Sequence, residues 1–323
     1  MVDGNWDLVQ TVVIARIVLG LSIAGGGWLS GYLSAMLAQR TVRDIIIRAY
    51  DAGINFFDIA DIYARGEAER RMGQVFKLLP RHTLVISSKV FWPMSDDVNN
   101  RGLSRKHIME SIDASLQRIG TDYLDMYFCH RYDEETPLEE TVRAMDDLIH
   151  QGKILYWGTS EWTAEQIQAA VDLCEQHGLY KPQVEQPQYN MLVRDKVENE
   201  ILPTAEANGI GLVVWSPLAS GVLTGKYDDA VPEDSRLARI DWLRQAILEG
   251  EESPLPKVRA LKPIADDLGV SRAQLALAWT LRKSGVSSAI TGATRLAQLE
   301  SNLQALEVDL TDDVLAAIEA ALA

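Results

Sequence analysis

Basic residues are scarce in this chain of 323 residues: 31 Lys and Arg stand against 46 Asp and Glu, a formal net charge of −15. Nucleic-acid binding is excluded on that ground, because phosphate neutralisation needs clustered cations. Cysteine is nearly absent. The 2 present, Cys129 and Cys174, form no C-x-x-C pair and no disulfide framework, so a reducing cytoplasm is the expected compartment. The 5 His are scattered without metal-ligand spacing, and no metal site is expected. Neither G-x-G-x-x-G after a strand nor G-x-x-x-x-G-K-[ST] occurs, and Gly25-Gly26-Gly27 lacks the required spacing. A Rossmann domain is therefore not expected. No Pro/Ser-rich linker and no fixed-length repeat divides the chain.

What is abundant is apolar surface. Hydrophobic residues make up 47% of the chain, enough for a sizeable core. No charge falls between Arg16 and Arg40, a span long enough to raise a transmembrane helix. Gly20, Gly25, Gly26, Gly27 and Gly31 punctuate it, however, and Gly weakens a helix interior. Asp3 and Asp7 replace the basic residues of a secretory signal. A buried first strand followed by a glycine-rich loop is expected instead.

Apolar runs alternate with helical periodicity, which predicts a parallel α/β architecture. Strands are expected at Val12–Leu19, Ile54–Asp58, Leu84–Lys89, Tyr123–His130, Ile154–Thr159, Gln183–Gln186, Ile210–Trp215 and Ser288–Thr291. Helices fill the gaps at Val42–Asp51, Glu67–Leu78, Arg105–Ile119, Leu138–His150, Ala164–His177, Lys196–Ala207, Arg272–Arg282 and Arg295–Ala305. Extra helices are expected at Val258–Leu268 and Asp312–Leu322. The expected fold is a single (β/α)8 TIM barrel over residues 1–323, with residues 1–40 atypical and a long loop, Ala219–Pro256, after the seventh strand. A loop of that length is usually functional.

Four polar residues end or follow buried runs: Asp58 and Tyr63 after Ile54–Phe57, Lys89 after Leu84–Ile86, and His130 after Leu124–Cys129. A parallel barrel gathers side chains from different strands at its carboxyl end. An acid, a phenol, an amine and an imidazole brought together there suggest proton transfer. The phenol is the natural donor, an adjacent ammonium favours its phenolate, and a carboxylate holds that ammonium. A hydrolase using Asp58 and Asp61 as paired carboxylates is a weaker alternative, because it makes no use of Lys89 or Trp215.

These residues resemble the catalytic tetrad of the aldo-keto reductases. Phe56-Phe57-Asp58-Ile59-Ala60-Asp61-Ile62-Tyr63 is similar to that family's F-D-T-A-x-x-Y motif, with Ile59 in place of Thr. Thr136–Met145, Tyr156-Trp157-Gly158-Thr159-Ser160 and Trp215-Ser216-Pro217-Leu218 resemble the branch containing the β subunits of voltage-gated potassium channels. The family's usual R-x-L-G-x-[ST]-G start is not found.

The resemblance implies NADPH-dependent reduction of small carbonyl compounds, since no side chain can donate hydride. It implies that Asp58, Tyr63, Lys89 and His130 are catalytic. Ser160 and Gln186 would hold the nicotinamide carboxamide, and Trp215 would stack on the ring. Ser216, Pro217, Leu218, Ser220 and Gly221 would approach the pyrophosphate. Lys226 and Arg236 fall where the family places its 2′-phosphate ligands. Gly292, Thr294, Gln298 and Asn302 accompany a helix whose N-terminal amides favour phosphate. The long loop would cover the cofactor. Trp28, Trp92 and Tyr132 are expected to wall the substrate pocket, and an aromatic pocket without a fixed cation suits uncharged aldehydes and ketones. The alternative function is a slow-turnover, cofactor-sensing regulatory subunit of a membrane partner such as a potassium channel. Homo-oligomerisation is left open, and no membrane association is expected except through such a partner.

Overall fold

Strands buried on both faces read as continuous apolar runs, and they pair here in parallel with helices outside them. In a computed structural model, residues 17–20, 42–233, 235–248, 253–293 and 295–323 are described. Eight strands close into a barrel in sequence order: β1 Ile17–Gly20, β2 Phe56–Asp58, β3 Val85–Val90, β4 Leu124–Cys129, β5 Ile154–Thr159, β6 Val184–Glu185, β7 Gly211–Val214 and β8 Val286–Thr291. The closing seam is β1 on β8, with Ile17 opposite Ala289 and Leu19 opposite Thr291.

Side chains alternate across each strand, so two cores form. Phe56, Val85, Met126, Phe128, Val184 and Val213 fill the lumen. Phe57, Ile86, Tyr127, Trp157, Leu212 and Val214 belong to the larger core under the helices. The lumen is narrow at Gly158, where an added Cβ would lie 2.4 Å from the Val184 carbonyl oxygen. An even number of residues beyond these lumen positions and Gly158, the same parity delivers Asp58, Lys89, His130, Ser160, Gln186 and Trp215 to the carboxyl end.

Local signals set the helix ends. Thr163 accepts from Gln166 N while Gln166 accepts from Thr163 N, a capping box that starts Ala164–His177. Gly178, with φ +65°, ends it. Ser271 and Gln274 repeat the box at Arg272–Thr280.

Several boundaries differ from expectation. The helix expected at Lys196–Ala207 is a π-turn, Val197–Ile201, leading into Leu202–Asn208. Pro203 lacks an N–H, so the regular hydrogen-bond ladder cannot run through it. Leu255–Asp267 begins before Val258 because Pro256 suits the first helical turn. The segment read as a long loop contains a 3-10 turn, Ala219–Thr224, and two short helices, Arg236–Arg239 and Asp241–Leu248. Leu296–Leu303 is shorter than expected and passes into a 3-10 turn, Gln304–Glu307. β6 is only two residues long, yet its neighbours complete the ladder, with Gln186 N donating to Thr159 O at 2.8 Å. The glycine-rich segment after β1 lies outside the described residues, as does the start of the strand expected from Val12. Among the described residues, no helix is long and apolar enough to cross a membrane.

Candidate active site

The centre of the carboxyl end is an ion pair. Lys89 Nζ lies 2.6 Å from Asp58 Oδ2, and both side chains are buried. Its ammonium also donates to the Ile59 carbonyl at 2.8 Å. The other Asp58 oxygen accepts from Ser87 Oγ at 2.7 Å and from Gln186 Nε2 at 3.1 Å. Burial alone would lower the Lys89 pKa, but the Asp58 carboxylate and the Tyr63 phenol more than offset it and hold it above the ordinary value.

Tyr63 reaches this pair from a tight turn. Tyr63 N donates to Ala60 O, Asp61 Oδ1 accepts from Ile62 N at 2.6 Å, and Ala64 and Arg65 both take φ +51°. The half-buried ring has its centre 5.1 Å from Lys89 Nζ and 6.0 Å from the His130 ring centre. Burial, then the charges of Lys89 and Arg131, push the His130 pKa down to about 2. The imidazole is therefore neutral at physiological pH. Its buried Nδ1 has no hydrogen-bond partner among the described residues.

A second group of residues lines the β5–β7 side. Ser160 Oγ donates to Gln186 O at 2.9 Å. Trp215 is half-buried beyond β7, and its indole N–H donates to Glu161 Oε1 at 2.8 Å. The same oxygen accepts from Gln188 N at 2.5 Å. Ser216, Ala219, Ser220 and Gly221 all take positive φ, between +47° and +92°. For non-glycine residues that conformation persists only where surroundings enforce it. Buried Asn190 does so, donating to Ser216 O at 3.0 Å, and Ser220 N donates to Ser216 Oγ. Lys226 folds back over this turn; a Cβ on Gly221 would lie 2.7 Å from its Nζ. The acidic Asp228 pairs instead with Arg272, at 2.6 Å.

On the far side, Pro217 and Asn302 are buried, Leu218 is half-buried and Gly292 is exposed. Gln298 is turned back as a cap, accepting from Arg295 N at 3.2 Å. Trp28, Thr294 and the Arg236 side chain lie outside the described residues.

Of the expected pocket walls, Trp92 stands edge-on to His130 with ring centres 6.2 Å apart. Tyr132 is packed against Trp162, 4.8 Å away, so part of its ring serves the core. A cation stands beside Trp92, one of the expected walls. Arg131 donates to the His130 carbonyl and sets its guanidinium 5.7 Å from the Trp92 ring centre. Strand parity alone would have sent Arg131 outward, but β4 ends at Cys129, and the carbonyl beyond the strand end draws the side chain back.

Sequence reasoning also missed Glu161, Asn190 and Ser87, which lie outside the motif segments quoted from the family yet bind Trp215, Ser216 and Asp58 within them. Only Glu161 adjoins a quoted segment, directly after Ser160, and that adjacency was the available signal.

The aldo/keto reductase family model matches residues 16–323. The chain belongs to the aldo/keto reductase family. It is 48% identical over 290 residues to a protein of Arabidopsis thaliana named "Probable voltage-gated potassium channel subunit beta", covering 89% of this chain and 88% of that one. It is 47% identical over 300 residues to a protein of the same name from Oryza sativa subsp. japonica, covering 91% and 90%. Membership of this family supports an oxidoreductase.

Proposed function

We propose that the chain is a cytoplasmic reductase that converts aldehydes and ketones to alcohols with NADPH. The observation that carries this reading is the buried Lys89–Asp58 pair beside the Tyr63 phenol, with a neutral imidazole facing it. The chain's own groups suit the dinucleotide. Trp215 offers a half-exposed ring held by its N–H, and the Ser216–Gly221 turn presents backbone beside the Lys226 ammonium, where a side chain on Gly221 would collide. Ser160 and Gln186 would hold the carboxamide, Trp215 would stack on the nicotinamide, and Pro217, Leu218, Ser220, Gly221, Gly292, Thr294, Gln298 and Asn302 would line the remainder. Lys226 and Arg236 would meet the 2′-phosphate.

When bound, NADPH supplies hydride to the carbonyl carbon. Tyr63 gives its hydroxyl proton to the carbonyl oxygen. Lys89 stabilises the phenolate that remains, and Asp58 keeps the ammonium aimed at it. Neutral His130 donates a hydrogen bond to the same oxygen, polarising the carbonyl without exchanging a proton. Trp92 and Tyr132 exclude water from one side.

A second reading, a regulatory subunit that binds a membrane partner and turns over slowly, is favoured by the names of the relatives. Steady-state NADPH oxidation with a panel of aldehydes separates the two. Typical enzymes run near ~10 per second, and turnover below ~0.01 per second on every aldehyde would favour the regulatory reading.

A further inference from the structure

Arginines of comparable burial in this chain hold carboxylates. Arg81 pairs with Asp125, Arg118 with Glu69, Arg272 with Asp228, and Arg282 with Glu198. Half-buried Arg131 has no carboxylate within ion-pair distance among the described residues. Among the described residues, the other half-buried arginines each pair with a carboxylate. The segment that follows β1 cannot neutralise it either, because residues 17–39 contain no Asp or Glu.

The Arg131 position is nonetheless fixed. One N–H is taken by the His130 carbonyl, and the guanidinium rests against the Trp92 ring, whose edge meets the His130 imidazole. A guanidinium has five N–H donors in a planar fork, so most of its donor capacity is left for a further acceptor. Carboxylates and phosphates match that fork with two parallel hydrogen bonds.

We propose that Arg131 selects carbonyl substrates that carry a carboxylate or phosphate group remote from the carbonyl. This rests on the reductase reading above and narrows its substrate class. The carbonyl oxygen would lie between Tyr63 and His130, and the anionic group would turn along the Trp92 face toward Arg131. An uncharged substrate of the same shape would forgo the bidentate contact. The bland role for Arg131, tying the His130 carbonyl, would treat charged and neutral substrates alike.

The test compares 4-carboxybenzaldehyde with its near-isosteric amide, 4-carbamoylbenzaldehyde, in steady-state NADPH oxidation. A charge-assisted hydrogen bond is worth enough that Arg131→Gln should lower kcat/KM for the carboxylate by roughly tenfold or more. The amide should change by less than about threefold, and Arg131→Lys, which keeps a point charge, should retain part of the preference. Added salt should erode the wild-type preference, as expected for an accessible ion pair. Equal losses on both aldehydes, or no loss on either, would overturn the proposal. If the wild type binds NADPH yet reduces neither aldehyde, the reductase reading itself fails. Fluorescence titration of the NADPH complex then judges Arg131 separately: tighter binding of the carboxylate than of the amide, lost in Arg131→Gln, supports it, and equal binding overturns it.

Discussion

Lys89 Nζ and Asp58 Oδ2 are 2.6 Å apart, with the lysine side chain fully buried and that of the aspartate 3% exposed. A buried pair is stable only when its remaining lone pairs and protons are also satisfied. Here Ser87 and Gln186 take the second carboxylate oxygen, and the Ile59 carbonyl takes a lysine proton. The pair is thus a fixed charge source assembled from three strands and a loop, ready beside Tyr63 before any substrate arrives.

Breaking it should cost stability as well as rate. Lys89→Met leaves Asp58 charged and buried, so unfolding free energy should fall by about 3–5 kcal/mol. The double variant Asp58→Asn/Lys89→Met should lose much less than the sum of the single losses. Urea denaturation of all four proteins measures the coupling, and additive losses would rule out an energetic pair.

Tyr63→Phe should remove most carbonyl reduction while NADPH affinity stays nearly constant. The hydroxyl acts in the transition state, and losing a general acid costs ~10²–10⁴-fold in rate. A variant that keeps more than about a tenth of the wild-type rate would disqualify Tyr63 as the donor.

Stability should fall as pH rises toward 8. Burial, together with the Glu69 charge, pushes the Asp61 pKa up to about 8, and burial does the same for Glu185. Both groups keep their protons in the folded state after the unfolded chain has released them. The folded state therefore binds more protons from about pH 4 to about pH 8, and stability declines over that window. Burial of His130 and His107 acts oppositely and fades above their ordinary pKa near 6.5, so over the interval from there to pH 8 the carboxyl contribution comes to dominate and is separated by comparison with Asp61→Asn. Asp61→Asn should flatten the decline by at least about 1.4 kcal/mol, the equivalent of one pKa unit. Thermal melts across this interval give the answer; parallel curves for wild type and Asp61→Asn would contradict it.

Glu161 should act on the cofactor through Trp215. Its Oε1 accepts from both Trp215 Nε1 and Gln188 N, while its own backbone is held at φ +62°. Glu161→Ala should weaken NADPH binding by roughly tenfold, the loss of one charge-assisted hydrogen bond. Glu161→Gln keeps an acceptor and should stay within about threefold of wild type. With 5-fluorotryptophan incorporated, the cofactor-free Ala variant should show a shifted Trp215 fluorine resonance. An unmoved resonance would mean that the bond does not set the ring.

Cofactor choice should depend on Arg236. Arg236→Ala should weaken NADPH binding by roughly tenfold or more, because a guanidinium grips phosphate through charge-assisted hydrogen bonds. NADH, which lacks the 2′-phosphate, should bind almost unchanged. Dissociation constants for both cofactors decide the matter, and equal losses would remove Arg236 from phosphate recognition.

The barrel and the side chains gathered at its end were legible because strand parity is rigid. Phe56 in the lumen forces Asp58 inward, and Phe128 does the same for His130. What escaped was everything set by direction beyond a strand end. Arg131 turns back to a carbonyl, and Glu161 reaches across to Trp215 from a left-handed turn that no periodicity announces. Pro203 was visible in the sequence, but its accommodation by a wider helical turn depends on packing around Val197 and Ile201. The partner of Asp228, Arg272, is likewise distant in sequence.

The seam between β1 and β8 joins the first strand of the barrel in chain order to the last. A closed cylinder cannot exist until both are in place, however early the intervening βα units condense. Until β8 pairs with β1, the incomplete sheet offers unpaired edges to any neighbouring chain. Edge protection is therefore complete only when β8 reaches the four residues Ile17–Gly20.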